Sequence, residues 1–218
     1  IVLLGRSGIV VNTDPDADDQ YYSEDFSTTD VPFELFEDGQ GRAAVADGEL
    51  VLESRAGDVL DIWIIGPMDT TQVTVDVFPG TGSYAGPAIG VPYTTPDDGW
   101  YVTAQVTDAG QLYLFDSSRT AIEAATDVVA EGGAKVSLEM THSEDRSEQI
   151  FTAVLMEPVA RDVWGSVEES RLSLTLPARV TSAVAVMVGP MEAAAPDGTF
   201  EPASGTFDNY QLSYDPAG

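Results

Sequence analysis

Cysteine is absent from the 218 residues, which excludes disulfides, thiolate metal sites and thiol nucleophiles together. A chain of this length buries a core large enough to stand without disulfides, so their absence does not confine it to a reducing compartment. Basic residues are scarce: nine Lys and Arg, with Lys135 the single lysine, stand against 37 Asp and Glu, for a net charge of -28. A field of that sign repels nucleic acid and anionic lipid and removes both from the expected partners. His142 is the single histidine, set in a polar run over 141–148, and no Gly-x-Ser-x-Gly elbow exists, so a Ser-His-Asp arrangement is not expected. No apolar run approaches the roughly 18 residues a membrane-spanning helix needs. Neither asparagine, Asn12 or Asn209, is followed two residues on by Ser or Thr, which excludes the usual N-glycosylation acceptor.

What is present divides unevenly along the chain. Residues 1–12 hold no acidic side chain, whereas the chain as a whole is strongly acidic. Ile1, Val2, Leu3 and Leu4, then Ile9, Val10 and Val11, flank Gly5-Arg6-Ser7-Gly8 and predict short strand pieces around a bend. We therefore expect an apolar N-terminal arm over 1–12, an acidic linker over 13–20 and one β-sandwich body over 21–218. In the body, strands are expected at 48–54, 59–65, 71–78, 85–91, 100–106, 111–115, 135–140, 149–156, 170–176 and 183–189. The segment 71–78 alternates polar with apolar at period two, the mark of a strand buried on one face. Residues 120–130 alone offer a helix, against their β-branched content. About eleven to thirteen strands with almost no helix predict an all-β, two-sheet antiparallel sandwich.

Three short motifs sharpen that expectation. Glu24-Asp25-Phe26-Ser27 lies near one end, Ala46-Asp47-Gly48-Glu49-Leu50-Val51-Leu52 follows, and Phe207-Asp208-Asn209-Tyr210 with an alternating strand closes the other end. In this order and spacing they resemble the laminin-G-like, concanavalin A-like jelly roll of lectins and glucanases, over residues 21–214. In those folds a structural calcium often ties the first strand to the last, and Glu24, Asp25 and Asp208 occupy the matching places. The resemblance thus implies one structural Ca2+ at these carboxylates, which supply the oxygens a hard cation takes. Asp25 and Asp208 equally suit the backbone N–H groups of turns. Asn12, Asp14, Asp16 and Asp18 also begin like a calcium loop, but Asp19 and Asp25 stand where that loop needs its glycine and closing glutamate, so a hydrated linker is expected.

The laminarinase-like glucanases that share the resembling fold carry Glu-x-Asp-x-x-Glu, which sets acid and nucleophile on one side of a strand. No glutamate of this chain stands in that spacing, so no enzyme activity is expected. The leading expectation is an extracellular or cell-surface structural and adhesive subunit. It would associate with itself or with a surface-protein partner through Ile1, Val2, Leu3, Leu4, Ile9, Val10 and Val11, donated to a neighbour's sheet. The same arm could instead fold back as an extra strand of its own sheet. The alternative is a carbohydrate-binding module that stacks a glycan on Trp100 with Tyr84, Tyr93 or Tyr113, and a glycoside hydrolase is third. Trp63, inside an apolar run, is expected in the core. Trp100 and Tyr101 must face opposite ways, so only one of them lines any given sheet face.

Overall fold

The computed structural model describes residues 6–11, 21–29, 31, 35–39, 41–55, 59–65, 70–92, 99–119, 122–125, 133–160, 163–191 and 202–215. Its strands in chain order are β1 (Arg6–Val11), β2 (Tyr21–Glu24), β3 (Phe36–Glu37), β4 (Gly41–Ala46), β5 (Glu49–Ser54), β6 (Leu60–Ile65), β7 (Thr70–Pro79) and β8 (Ser83–Val91). They continue with β9 (Trp100–Thr107), β10 (Leu112–Asp116), β11 (Ile122–Ala125), β12 (Ala134–His142), β13 (Glu148–Ala160), β14 (Val163–Pro177), β15 (Ala183–Pro190) and β16 (Ala203–Asp215). No helix occurs among the described residues. In the segment 120–130, where the sequence offered a helix, residues 122–125 form β11, paired antiparallel with β10. Ile122 and β10's Phe115 share a register position, so sheet pairing overrides a weak local preference.

Two sheets stack as a jelly-roll sandwich. One has seven strands in the order β1-β6-β15-β8-β9-β10-β11; the other has nine, in the order β14-β13-β12-β7-β16-β5-β4-β3, with β2 joined to β16. All pairings are antiparallel except β1 with β6. The alternation read at 71–78 is realised in β7, where Val73, Val75 and Val77 are buried and Gln72 is exposed. Between the sheets Leu50, Leu52, Leu138, Met140, Phe151 and Phe207 meet Ile62, Ile89, Val102, Leu112 and Leu114.

The two ends of the body meet in β16. One edge of this strand runs along β7; its other edge takes β5 over Ala203–Phe207 and β2 over Tyr210–Ser213. The handover falls at a bulge between Asp208 and Gln211, where Asn209 adopts φ 49°. Asparagine tolerates this left-handed conformation better than other residues with a side chain. The opening and closing motifs of the sequence are therefore neighbours, with Glu24 paired to Tyr210 and both Phe26 and Phe207 buried.

Phe207 fills the core from the strand that joins β5 to β7. Phe207→Ala is expected to cost about 3–5 kcal/mol, whereas Gln211→Ala, exposed on the same strand, should stay within about 0.5 kcal/mol; urea unfolding of both variants checks this.

Candidate functional site

The seven-stranded sheet is buried on both faces. Period-two alternation sends Leu60 and Ile62 of β6, Val184, Val186 and Val188 of β15, Val102, Ala104 and Val106 of β9, and Leu112 and Leu114 of β10 into the main core. The opposite face receives Asp61 and Trp63, then Ala183, Ala185 and Met187, then Tyr101, Thr103 and Gln105, then Tyr113 and Phe115. Trp63, Ala88, Ala183, Ala185 and Met187 form a second, smaller apolar cluster there, with Val59 and Tyr101 packed on it. Between the Trp63 and Tyr101 rings the two intervening strands, β15 and β8, contribute only Ala183, Ala185, Ala88 and Gly90. This lets Trp63 and Tyr101 reach across both strands until their ring centroids are 6.2 Å apart at 57°. Smallness is enforced sterically: a Cβ on Gly86 would collide with the carbonyl oxygen of Ala104, and one on Gly189 with the Tyr84 phenol.

A short polar chain crosses the same face. Thr103 Oγ1 donates to the carbonyl oxygen of Pro87 at 2.8 Å, and Gln105 Nε2 donates to Thr103 Oγ1. The one hydroxyl proton of Thr103 is committed to Pro87, so the hydroxyl can only accept from Gln105. The Gln105 amide is thereby oriented with its NH2 towards Thr103 and its Oε1 directed away. That oxygen has no hydrogen-bond partner although Gln105 is 0% exposed, and the same is true of the indole N–H of Trp63, also 0% exposed. Each such group forfeits about 1–3 kcal/mol of solvation unless a ligand or water meets it.

Aromatic and cationic groups border this floor. Tyr84 meets Phe115 edge-on, with centroids 6.3 Å apart at 87°. Arg119 sits 5.2 Å over the Phe115 ring and donates to the Tyr84 hydroxyl at 3.3 Å. Burial raises the pKa of the Tyr84 phenol, with Arg119 opposing, so Tyr84 is neutral at ordinary pH. Tyr113 is half-buried, and its hydroxyl donates to Gln111 Oε1 at 3.3 Å.

The aromatic residues singled out from sequence divide between the two faces. Tyr84 and Tyr113 lie on the outer face with Gln105, while Tyr93 falls outside the described residues. Trp100 turns the other way: it packs half-buried against the main core, edge-on to Phe151 at 6.3 Å, with the Arg179 guanidinium 5.3 Å over its ring. Buried Gln149 holds Arg179 in place, accepting from its N–H at 3.0 Å and donating to its carbonyl oxygen at 2.8 Å. The face of Trp100 is therefore already stacked, and Tyr101 is the member of that pair on the outer face. Trp63 is buried as expected, but in the second cluster, and Thr103 and Gln105 carry no motif that would single them out.

The arm residues are placed only in part. Ile9, Val10 and Val11 lie on β1, opposite Trp63, Ile64 and Ile65 of the chain's own β6, the fold-back form of the two that the sequence allowed. Ile1, Val2, Leu3 and Leu4 are outside the described residues.

At the other end of the sandwich, Ser23, Glu24, Asp25, Asn209, Tyr210 and Gln211 line a polar recess of about 350 Å³. Here the carboxylates serve the turns: Glu24 accepts from the Phe26 N–H at 3.1 Å, Asp25 from the Ser27 N–H at 3.0 Å, and Asp208 from the Asn209 N–H at 2.7 Å. The Asn209 side-chain amide bridges Asp76 at 2.7 Å and Asp208 at 3.1 Å. Among the described residues no three or more His, Cys, Asp or Glu side chains are grouped to hold a metal ion, and the bonds named here for Glu24, Asp25 and Asp208 go to turn N–H groups and to the Asn209 amide.

No family model matches this chain, and no curated protein sequence matches it. Its fold does match solved structures. Basic winged bean lectin with Tn-antigen aligns at a TM-score of 0.54 and 9% identity, covering 91% of this chain and 99% of the lectin. The catalytic domain of an endo-1,3-β-glucanase (laminarinase) from Thermotoga petrophila aligns at 0.52 and 12% identity, covering 90% of this chain and 97% of that one. An alginate lyase in complex with alginate tetrasaccharide aligns at 0.52 and 10% identity, covering 91% of this chain and 98% of that one. The fold is the concanavalin A-like jelly roll of lectins and glucanases. The expectation that the chain is no enzyme is corrected here, because two of these three neighbours are enzymes spanning nearly the whole fold. Absence of Glu-x-Asp-x-x-Glu tested one catalytic arrangement, not catalysis on this scaffold.

Burial raises the Asp208 carboxyl, the Asn209 N–H opposes this, and Asp76, Glu49 and Asp25 add repulsion. A carboxyl raised by folding stabilises the fold while protonated and loses that contribution as pH rises through its folded-state value. Asp208→Asn, which keeps an acceptor for the Asn209 N–H, is expected to raise Tm at about pH 7 and to change it little at about pH 3; calorimetry at both pH values checks the sign. The same calorimetry with calcium and with EDTA reads the recess: an unchanged Tm agrees with turn capping, and a calcium-dependent rise would establish a cation there.

Proposed function

We propose that this chain is a carbohydrate-recognising jelly-roll domain that takes its glycan against the outer face of the seven-stranded sheet, whose floor is closed in this structure and has to open to admit it. The observation that carries the reading is the pair of buried, unpartnered groups on that face, the Gln105 carbonyl oxygen and the Trp63 N–H, beside small-residue strands bordered by aromatic rings. Sugars present alternating C–H faces and hydroxyls, which fit aromatic borders and isolated polar partners together. Neighbours that are lectins and polysaccharide-acting enzymes support this reading. An extracellular or cell-surface location goes with it, where a net charge of -28 keeps the body dispersed.

A glycan array followed by titration calorimetry on the hits tests it. Gln105→Leu removes the unpartnered oxygen while Thr103 keeps its bond to Pro87. Binding is expected to weaken about tenfold, the effect of losing one hydrogen bond of about 1.4 kcal/mol, with Tm unchanged or raised. Unchanged glycan affinity in this variant, or no glycan bound by the parent chain, would sink the reading. Assaying the same hits for cleaved products decides whether recognition leads to bond breaking.

A further inference from the structure

At the border of the outer face stands a cation that this acidic chain does not neutralise. Arg42, Arg55 and Lys135 each lie beside a carboxylate, at 3.8 Å from Glu53, 2.9 Å from Glu37 and 3.8 Å from Asp76. Arg119 has no such partner among the described residues. Its guanidinium lies 5.2 Å over the Phe115 ring and donates to the Tyr84 hydroxyl at 3.3 Å. Arg119 is exposed, so a ligand reaches it without the closed floor having to open.

Turn chemistry does not account for an arginine at this position. Arg119 adopts φ 54°, the left-handed region that favours glycine and asparagine, and its N–H donates to the Asp116 carbonyl oxygen at 2.8 Å. The Asp116 carboxylate accepts from Ser118 Oγ in the same turn. A guanidinium carries only donors, and one of them is spent on Tyr84. The Tyr84 oxygen accepts that bond, so its own proton points elsewhere, and no protein acceptor takes it among the described residues. Burial keeps this phenol neutral and therefore able to donate. The remaining guanidinium N–H groups and the phenol O–H together form a set of donors beside an uncompensated positive charge. Such a set is completed by an anion that only accepts: a carboxylate matches the guanidinium fork, and a sulfate ester offers the same acceptor oxygens.

We infer that Arg119 and Tyr84 form a subsite for the acidic group of a glycan, a carboxylate or a sulfate ester, at the border of the outer face. This inference rests on that face being the glycan site. The net charge of -28 repels such a ligand at a distance, but at about 0.15 M salt that field is screened over about 8 Å and the contact itself decides.

The test compares gluco-, galacto- and manno-oligosaccharides with their uronate and sulfate-ester counterparts, by calorimetry on the full chain at about 0.15 M salt. An acidic series is expected to bind at least about tenfold more tightly than its neutral counterpart, and whether the uronate or the sulfated series does so identifies the anion. Arg119→Met keeps an unbranched chain over Phe115 and is expected to reduce that preference about tenfold or more; Tyr84→Phe keeps the ring and is expected to reduce it about threefold. Arg171→Met removes the same charge from an exposed position on β14, in the other sheet, and is expected to leave the preference unchanged. Neutral series that bind as tightly as their acidic counterparts overturn the inference and leave the glycan face standing. A preference that survives Arg119→Met, or that falls equally in Arg171→Met, overturns it as well. Binding of no series overturns both readings. The acidic-to-neutral comparison is made on the parent chain, so it holds whether or not a variant folds.

Discussion

The nine-stranded sheet depends on its last strand being placed between strands made much earlier. β16 pairs with β7 along one edge and with β5 and β2 in succession along the other, so backbone hydrogen bonding in the middle of that sheet is complete only once residues 203–215 are in place. Long-range pairing of this kind closes large loops before it returns any contact energy, which makes folding slow and cooperative. The same strand carries Phe207 into the core and presents Asp208 and Asn209 at the bulge, so closure of the sheet and arrangement of the acidic end are one event.

Two-sided burial of the seven-stranded sheet is the second organising feature, and it sets the character of the candidate site. Strands covered on both faces need apolar or small residues at nearly every position, as β8 and β15 show. Where the outer face keeps polar groups instead, they are linked in series from Pro87 through Thr103 to Gln105, and the series ends in an oxygen without a partner. An unsatisfied group inside an otherwise well-packed face works against stability. Such departures concentrate where a ligand completes the bonding.

Charge plays a different part at each end of the molecule. At the bulge, acidic side chains crowd together and are held by turn N–H groups and by the Asn209 amide. On the outer face the described charged side chains are few, and Arg119 is already engaged, stacked over Phe115 and donating to Tyr84. The large negative total thus describes how the body behaves in solvent.

Taken by itself, the sequence determined the all-β class and the alternating strand at 71–78, because period-two patterning is a local property; the adjacency of Glu24-Asp25-Phe26 with Phe207-Asp208-Asn209-Tyr210 was only what the resemblance implied, and the pairing of β2 with β16 establishes it. The sequence also required Trp100 and Tyr101 to point in opposite directions. The stripe Tyr101, Thr103, Gln105 and Thr107 against Val102, Ala104 and Val106 sets Tyr101 on the more polar side of its strand. Only the tertiary structure decided that this side is buried as well, placing Tyr101 beside Trp63 and Trp100 under Arg179, because burial depends on what packs against the strand. The orientation of the Gln105 amide was equally out of reach, since it follows from Thr103 and from a carbonyl on the adjacent strand, β8, which sequence distance does not reveal.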